Sequence, residues 1–420
     1  MEYFSVRGGH RLQGSLTISG AKNSVLPLLA ASVLFQNGCV LHNCPCLTDV
    51  EAAIEILRHL GCRVEKKDHD IWVNPGGLTC CEIPRPLMTR MRSSVLFLGP
   101  LLARTGRCTL FEPGGCCLGA RPIDLHLSGL QAMGAELTWQ EDRLDCRCAG
   151  LTGTAVTLAF PSVGATENLM MAALGGQGTT TIYNAAKEPE IVDLACFLRA
   201  GGARIYGMGT SMLQIEGGFP DFAEYTVLPD RMEAATFLAA AVCAGGDICV
   251  KRVTPSHLTP VCSTLEAAGC LVTASDDSIR LQTRRLCSPP PIRTAPYPGF
   301  PTDAQAPIMA ALLRAEGTTV FEEAVFTDRY RHVPALRRLG GKIQVSGAIA
   351  AVTGVSNLTG AVLEATDLRG GAAMVAAAMG AEGESKITQI HHILRGYENF
   401  AQRLSSLGAD VRWIQDPAAP

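Results

Sequence analysis

The sequence predicts an α/β fold of six βαβαββ units of about 70 residues, grouped three and three into two globular domains with buried helices inside. Two glycine series and a set of wholly apolar helices carry that reading. The first series closes the pattern Leu-x-x-x-Gly at Gly61, Gly134, Gly202, Gly269, Gly340 and Gly408, with spacings of 67 to 73 residues. Glycine in that position reads as a helix C-cap, with an apolar strand position following. The second series is Gly38, Gly106, Gly178, Gly246, Gly317 and Gly383. It follows apolar segments such as SVLPLLAASVLF and precedes β-prone runs such as TTTIY. The two series stay 23 to 28 residues apart along the whole chain. An extended solenoid is disfavoured, because neither end reads as a cap repeat.

Each unit therefore runs strand, helix, strand, helix, strand, strand. The first helix is apolar nearly all round, which makes it a buried helix, whereas the second carries a polar face, as in RHLGCRVEKK. The split between the two triplets falls in EYTVLPDR. It gives one domain of residues 20–229 and a second of residues 1–19 plus 230–420.

Composition narrows the function classes. Hydrophobic residues make up 47% and charged residues 18% of the 420, which excludes a disordered chain. A net charge of −3 with 5% aromatics argues against nucleic acid as a partner. The longest apolar run, Val25 to Phe35, is too short to cross a bilayer, so no membrane insertion is expected. MEYFSVRGGHRLQG holds no apolar leader core, so a cytoplasmic protein with reduced thiols is expected. None of the 17 cysteines stand in C-x-x-C spacing, so no metal site is expected. There is no P-loop or dinucleotide fingerprint either.

Every first helix opens on small, polar or charged residues: GAKNS (20–24), TRMRSS (89–94), PSVGATEN (161–168), PDRMEAAT (229–236), FPTDAQA (300–306) and ATDLRGG (365–371). Free N–H groups at a helix N-terminus favour anions. Lys22, Arg92 and Arg369 stand at this end, which is unfavourable for a cation, and a bound phosphate or carboxylate would resolve the conflict. Arg121, Arg329 and Arg395 recur in loops before second helices, and a guanidinium matches such oxygens bidentately. Together these residues predict a cleft for a ligand with several negative charges. Cys116 and Cys117 lie in a glycine-rich segment near Arg121, where nearby cations favour thiolate. The residues themselves do not separate the two. Asp303 reads either as a helix N-cap or as a general base for a hydroxyl.

SGAKNSVLP (19–27), PGGCCLGARPIDLH (113–126), NAAKEPEIVD (184–193), VLPDR (227–231), GFPTDAQA (299–306), ATDLR (365–369) and RGYE (395–398) resemble the enolpyruvyl transferase family acting on UDP-N-acetylglucosamine. The resemblance runs from about Gly14 to Trp413. The shikimate-pathway branch has neither the Gly-Ala-Lys-Asn motif nor the cysteine loop. The resemblance implies two inside-out α/β domains joined by a hinge. It implies transfer of an enolpyruvyl group from phosphoenolpyruvate to the sugar 3-hydroxyl with release of phosphate, opening peptidoglycan synthesis, and no cofactor. Phosphoenolpyruvate and UDP-N-acetylglucosamine are then the partners. Cys116 takes the place of the general acid, which is also the thiol that fosfomycin alkylates. Lys22, Arg121 and Arg395 hold the phosphoenolpyruvate phosphate, and Arg92, Arg329 and Arg369 line the same anionic site. Asn23 and Asp303 contact the sugar, with Asp303 accepting the hydroxyl proton. Arg121, Pro122, Ile123, Asp124 and Leu125, with Ser162, Val163 and Gly164, hold the uridine and diphosphate. Val325 touches the sugar. Leu394 departs from the usual carboxylate, Ala235 from a glycine, and Cys117 from a commoner threonine. The departures leave open a paralogue with altered rate, and the alternative function is a non-catalytic or slow paralogue acting as a nucleotide-sugar sensor.

Overall fold

The computed structural model describes residues 2–111 and 123–415. They form two compact units: a first of residues 20–228 and a second of residues 2–19 and 229–415.

In the second unit three helices, Arg231–Ala244, Thr302–Ala311 and Leu368–Met379, pack against one another. All but a few of their residues are buried, so they are enclosed helices and not amphipathic covers. Three four-stranded sheets surround them. One has the order Val362–Glu364, Glu384–Thr388, Glu2–Arg7, Asp410–Gln415, and another the order Ile292–Arg293, Thr318–Glu322, Ile349–Thr353, Lys342–Ser346. In the third, Gln13–Thr17 runs parallel to Asp247–Lys251, with Leu16 opposite Val250. The first unit repeats the plan around Lys22–Ala31, Leu98–Thr105 and Val163–Ala173. Its sheets place Ala223–Thr226 beside Cys39–His42, Ala155–Thr157 beside Thr179–Tyr183, and Arg107–Phe111 beside Arg143–Arg147. Helices inside and sheets outside are the inside-out α/β arrangement.

Two details differ from a simple sixfold βαβαββ repeat. The opening strand of the second repeat shrinks to one parallel bridge, Glu82 to Thr109. The opening strands of repeats one and four are exchanged: Gln13–Thr17 precedes the Lys22 helix but pairs in the second unit, while Ala223–Thr226 precedes the Arg231 helix but pairs in the first.

The glycine series has a backbone explanation. All six glycines of the first series are left-handed, with φ between 96° and 101°, the conformation that ends each second helix. In the second series Gly246 is the exception. Gly245 takes the positive φ of 71°, and Gly246 is required because a Cβ there would lie 2.5 Å from the Leu12 carbonyl oxygen.

Arg403 fastens the end of the strand Gln13–Thr17 within the second unit. Its guanidinium reaches the buried Glu233 and donates to Thr17 O at 2.7 Å and Ser19 Oγ at 3.0 Å. Glu233 also accepts from Ser19 N at 2.8 Å. Burial pushes the Glu233 carboxyl up, and Arg403 opposes that shift. Arg403→Met is therefore expected to destabilise the protein by about 3 kcal/mol, with protonation of Glu233 limiting the loss. Urea unfolding of the full chain checks this, and adding Glu233→Gln should recover part of the loss.

Candidate active site

In the first unit Lys22 opens a helix whose N-cap residue, Ala21, offers no side-chain acceptor and whose first turn has no acid. Its Nζ lies 2.7 Å from Asp49 Oδ2, with 9% and 4% of the two side chains exposed. Asp49 stands in the first turn of the helix Thr48–His59. The cation at an unfavourable helix end is thus met within the chain by the Asp49 carboxylate. Asn23 is exposed beside it. Arg92 begins a 3-10 turn, Arg92–Phe97, packed against the Lys22 helix.

Ser162 caps the helix Val163–Ala173, its Oγ accepting from Ala165 N at 3.3 Å. A Cβ on Gly164 would lie 3.1 Å from the His126 ring, so glycine permits this close approach. His126 belongs to the helix Asp124–Ala132 that follows Ile123 and contains Leu125. Ser162–Gly164 and Ile123–Leu125 are therefore brought together around one histidine. Burial, then Arg92, push the His126 imidazole down to about 4, so it is neutral near pH 7. Its Nδ1 meets Asn168 Nδ2 at 2.8 Å.

Asp193 ties the Lys22 helix to the end of the unit. Ser24 donates to it, and Tyr225 donates to its Oδ1 at 2.7 Å. Burial raises its carboxyl to about 6, and the Ser24 and Tyr225 hydrogen bonds oppose the rise. A folded-state pKa above the unfolded value of about 3.9 means that the folded chain holds the extra proton, so stability falls as pH rises from about 4 to about 6. Asp193→Asn should remove up to about 3 kcal/mol of that pH dependence. Denaturation midpoints of both proteins at pH 4 and pH 7 measure it.

In the second unit Asp303 is not a cap. Pro301 occupies the N-cap of Thr302–Ala311, and Asp303 lies in the first turn. Its Oδ1 accepts from Arg329 Nη2 at 2.6 Å and its Oδ2 from Arg369 Nε at 3.2 Å. Both arginines are buried, at 4% and 3% side-chain exposure, while Asp303 is 27% exposed. A carboxylate gripped on its inner side, with lone pairs left over, can still accept from a hydroxyl. Arg369 follows the N-cap Asp367, whose carboxylate accepts from the backbone N–H of Arg369 and Gly370. Its Nη1 donates to Tyr397 OH at 2.9 Å, and that hydroxyl also meets Thr236 Oγ1 at 2.8 Å. Burial opposes the charge of Arg369, but Tyr397, Asp303 and Asp230 outweigh it and push its pKa up. Arg369 and Arg329 are thus fixed cations with internal partners, not surface charges.

Val325 is held by Glu323. Glu323 Oε1 accepts from the backbone N–H of Val325 at 2.9 Å and of Phe326 at 3.0 Å. The same buried carboxylate takes hydrogen bonds from Thr294, Thr302 and Gln305, each at 2.9 Å. It fastens the Val325 loop to the helix start that carries Asp303. Arg395 follows the short helix His391–Leu394, and Leu394 packs against the apolar core of the second unit.

Cys116, Arg121 and Pro122 lie outside the described residues. Asp303, Arg329 and Arg369 are brought into one cluster, as are Ile123–Leu125 and Ser162–Gly164. Sequence reasoning missed Asp49, Glu323 and Tyr397. Tyr397 stood in view, two residues after Arg395, but Asp49 and Glu323 gave no signal beyond being acids near element ends.

The chain matches the EPSP synthase (3-phosphoshikimate 1-carboxyvinyltransferase) family over residues 6–404. It is 46% identical over 419 residues to UDP-N-acetylglucosamine 1-carboxyvinyltransferase 2 of Carboxydothermus hydrogenoformans, covering 99% of this chain and all of the relative. The chain belongs to the carboxyvinyltransferase family. A further relative in that family, UDP-N-acetylglucosamine 1-carboxyvinyltransferase 2 of Caldanaerobacter subterraneus, is 45% identical and covers 98% of this chain and 99% of its own. The crystal structure of the enolpyruvyl transferase NikO from Streptomyces tendae superposes with a TM-score of 0.89 at 24% identity, covering 99% of each chain. That likeness places the two α/β units in the carboxyvinyltransferase fold. Among the described residues no helix is long and apolar enough to cross a membrane.

Proposed function

We propose that this carboxyvinyltransferase moves the enolpyruvyl group of phosphoenolpyruvate to the 3-hydroxyl of UDP-N-acetylglucosamine and releases phosphate. This is the first committed step of peptidoglycan synthesis. The reading rests chiefly on near-full-length identity to UDP-N-acetylglucosamine 1-carboxyvinyltransferases. It places the protein in the cytoplasm, where it serves cell-wall growth, cell shape and division, and makes it a fosfomycin target.

The chemistry needs a proton on the enol methylene carbon and removal of one from the sugar hydroxyl. Cys116 supplies the first and Asp303 accepts the second. Protonation leaves positive character on the neighbouring carbon, which the sugar oxygen attacks. Loss of phosphate and of a methyl proton then restores the double bond, so the group is transferred unchanged in oxidation state. Lys22, Arg121 and Arg395 hold the phosphate, with Arg92, Arg329 and Arg369 completing the cationic lining. Because Arg329 and Arg369 are set by Asp303 and Tyr397 before any substrate arrives, little reorganisation is required of them. Asn23 and Val325 orient the sugar. Ile123, Asp124 and Leu125, with Ser162, Val163 and Gly164, hold the uridine and diphosphate. Catalysis is preferred to a sensor role because Cys116, Lys22, Asp303 and Arg395 are all retained.

Mass spectrometry of the nucleotide sugar after incubation with phosphoenolpyruvate tests the reading. A product carrying one enolpyruvyl group on UDP-N-acetylglucosamine, with none formed on shikimate 3-phosphate, is expected. The opposite preference would refute it.

A further inference from the structure

The second unit has a solvent-open pocket of about 460 Å³, rimmed by exposed charged side chains, at the C-terminal ends of its three central helices. Asp303 and Arg369 stand at the other ends of two of those helices, roughly 15 Å away at 1.5 Å per residue. The volume falls within the roughly 300–1,000 Å³ of small-ligand pockets. Arg11, Arg284 and Arg314 line it, with Glu382 as the one acidic lining residue. The side chains carry an excess of positive charge, which the negative ends of the three helix dipoles offset in part. None of the three arginines forms an ion pair among the described residues.

The repeat explains why the space exists. Three residues before each second-series glycine, the first unit has Phe35, Ala103 and Gly175, and the second has Cys243, Arg314 and Gly380. Phe35 is fully buried and stacks on Phe197 with ring centroids 4.6 Å apart, which fills that end of the first unit. Cys243 replaces this ring with a thiol, and Arg314 puts a guanidinium where the first unit has a methyl group. Several carbonyls at two of these helix ends have donors other than the arginines. Ala241 O accepts from Gly246 N at 2.7 Å and Thr283 Oγ1 at 3.1 Å, Ala377 O from Gly380 N at 3.0 Å, and Met379 O from Gly9 N at 3.1 Å.

We propose that this cavity binds a small organic dianion, either a phosphomonoester or a dicarboxylate, with its charged end on Arg11, Arg284 and Arg314 and its apolar part against Cys243. Nothing in the proposal depends on the transferase reading.

Calorimetric titration of the full chain with phenyl phosphate and with phthalate tests it, alongside Cys243→Phe and the double variant Arg284→Ala/Arg314→Ala. The wild-type chain should bind one of the probes at a site that Cys243→Phe abolishes. The double variant should weaken that site by about 100-fold, from two lost charge-assisted contacts. Anion sites elsewhere would persist in every variant. The probe that binds tells a phosphomonoester site from a dicarboxylate one. Equal binding in all three proteins, or no binding to the wild type at millimolar concentration, overturns the proposal. If Cys243→Phe does not fold, the arginine variant decides alone.

Discussion

Asp303→Asn is expected to lower kcat by about 100- to 10,000-fold, the usual contribution of a general base, with a much smaller change in KM. The substitution keeps the shape of the side chain and one acceptor oxygen, so Arg329 or Arg369 retains a partner. It removes the charge that both guanidiniums face at 2.6 and 3.2 Å. Breaking a fully buried pair costs about 3–5 kcal/mol, and the 27% exposure of Asp303 makes the loss here smaller. The folded fraction therefore stays high enough for kinetics. A purely structural role makes a different prediction. If Asp303 only aligned the arginines, Tyr397→Phe, which removes the other side-chain partner of Arg369, would cause a similar fall. The general-base reading instead has Tyr397→Phe change KM for the anionic substrate and leave most of kcat. Steady-state kinetics of the two variants, with circular dichroism as the folding control, separates these readings.

Cys116→Ala is expected to abolish turnover at neutral pH, a loss of at least about 100-fold, while Cys117→Ala retains it. The two thiols are adjacent, so a general disturbance of the segment would affect both variants alike. Equal loss with folding intact would reject Cys116 as the acid. Three buried thiols are poor competitors. Burial pushes Cys62, Cys146 and Cys243 up to about 12, so they remain neutral and unreactive. Alkylation by fosfomycin should accordingly modify Cys116 and spare these.

The fold was legible because it depends on local backbone rules repeated six times. A left-handed glycine ends each second helix, and a helix apolar all round is buried at the centre of its unit. The candidate site was half legible for the same reason, since charged residues at helix starts are visible in the string. Their partners were not. Lys22 meets Asp49 across 27 positions, Arg369 meets Asp303 across 66, and Glu323 collects donors from Thr294, Thr302 and Gln305. Such pairings are set by packing between helices, which periodicity does not encode. Lys22 and Arg369 do stand at helix starts, and carboxylates of the chain itself meet both.

In the proposed reaction phosphoenolpyruvate is split only by transfer to the sugar nucleotide. Phosphate release from phosphoenolpyruvate, with and without UDP-N-acetylglucosamine and before and after fosfomycin treatment, tests it most directly. Release that requires the sugar nucleotide and stops once fosfomycin has reacted is expected. Binding of UDP-N-acetylglucosamine without any phosphate release would contradict it, and would make Leu394, beside Arg395, the first residue to restore to a carboxylate.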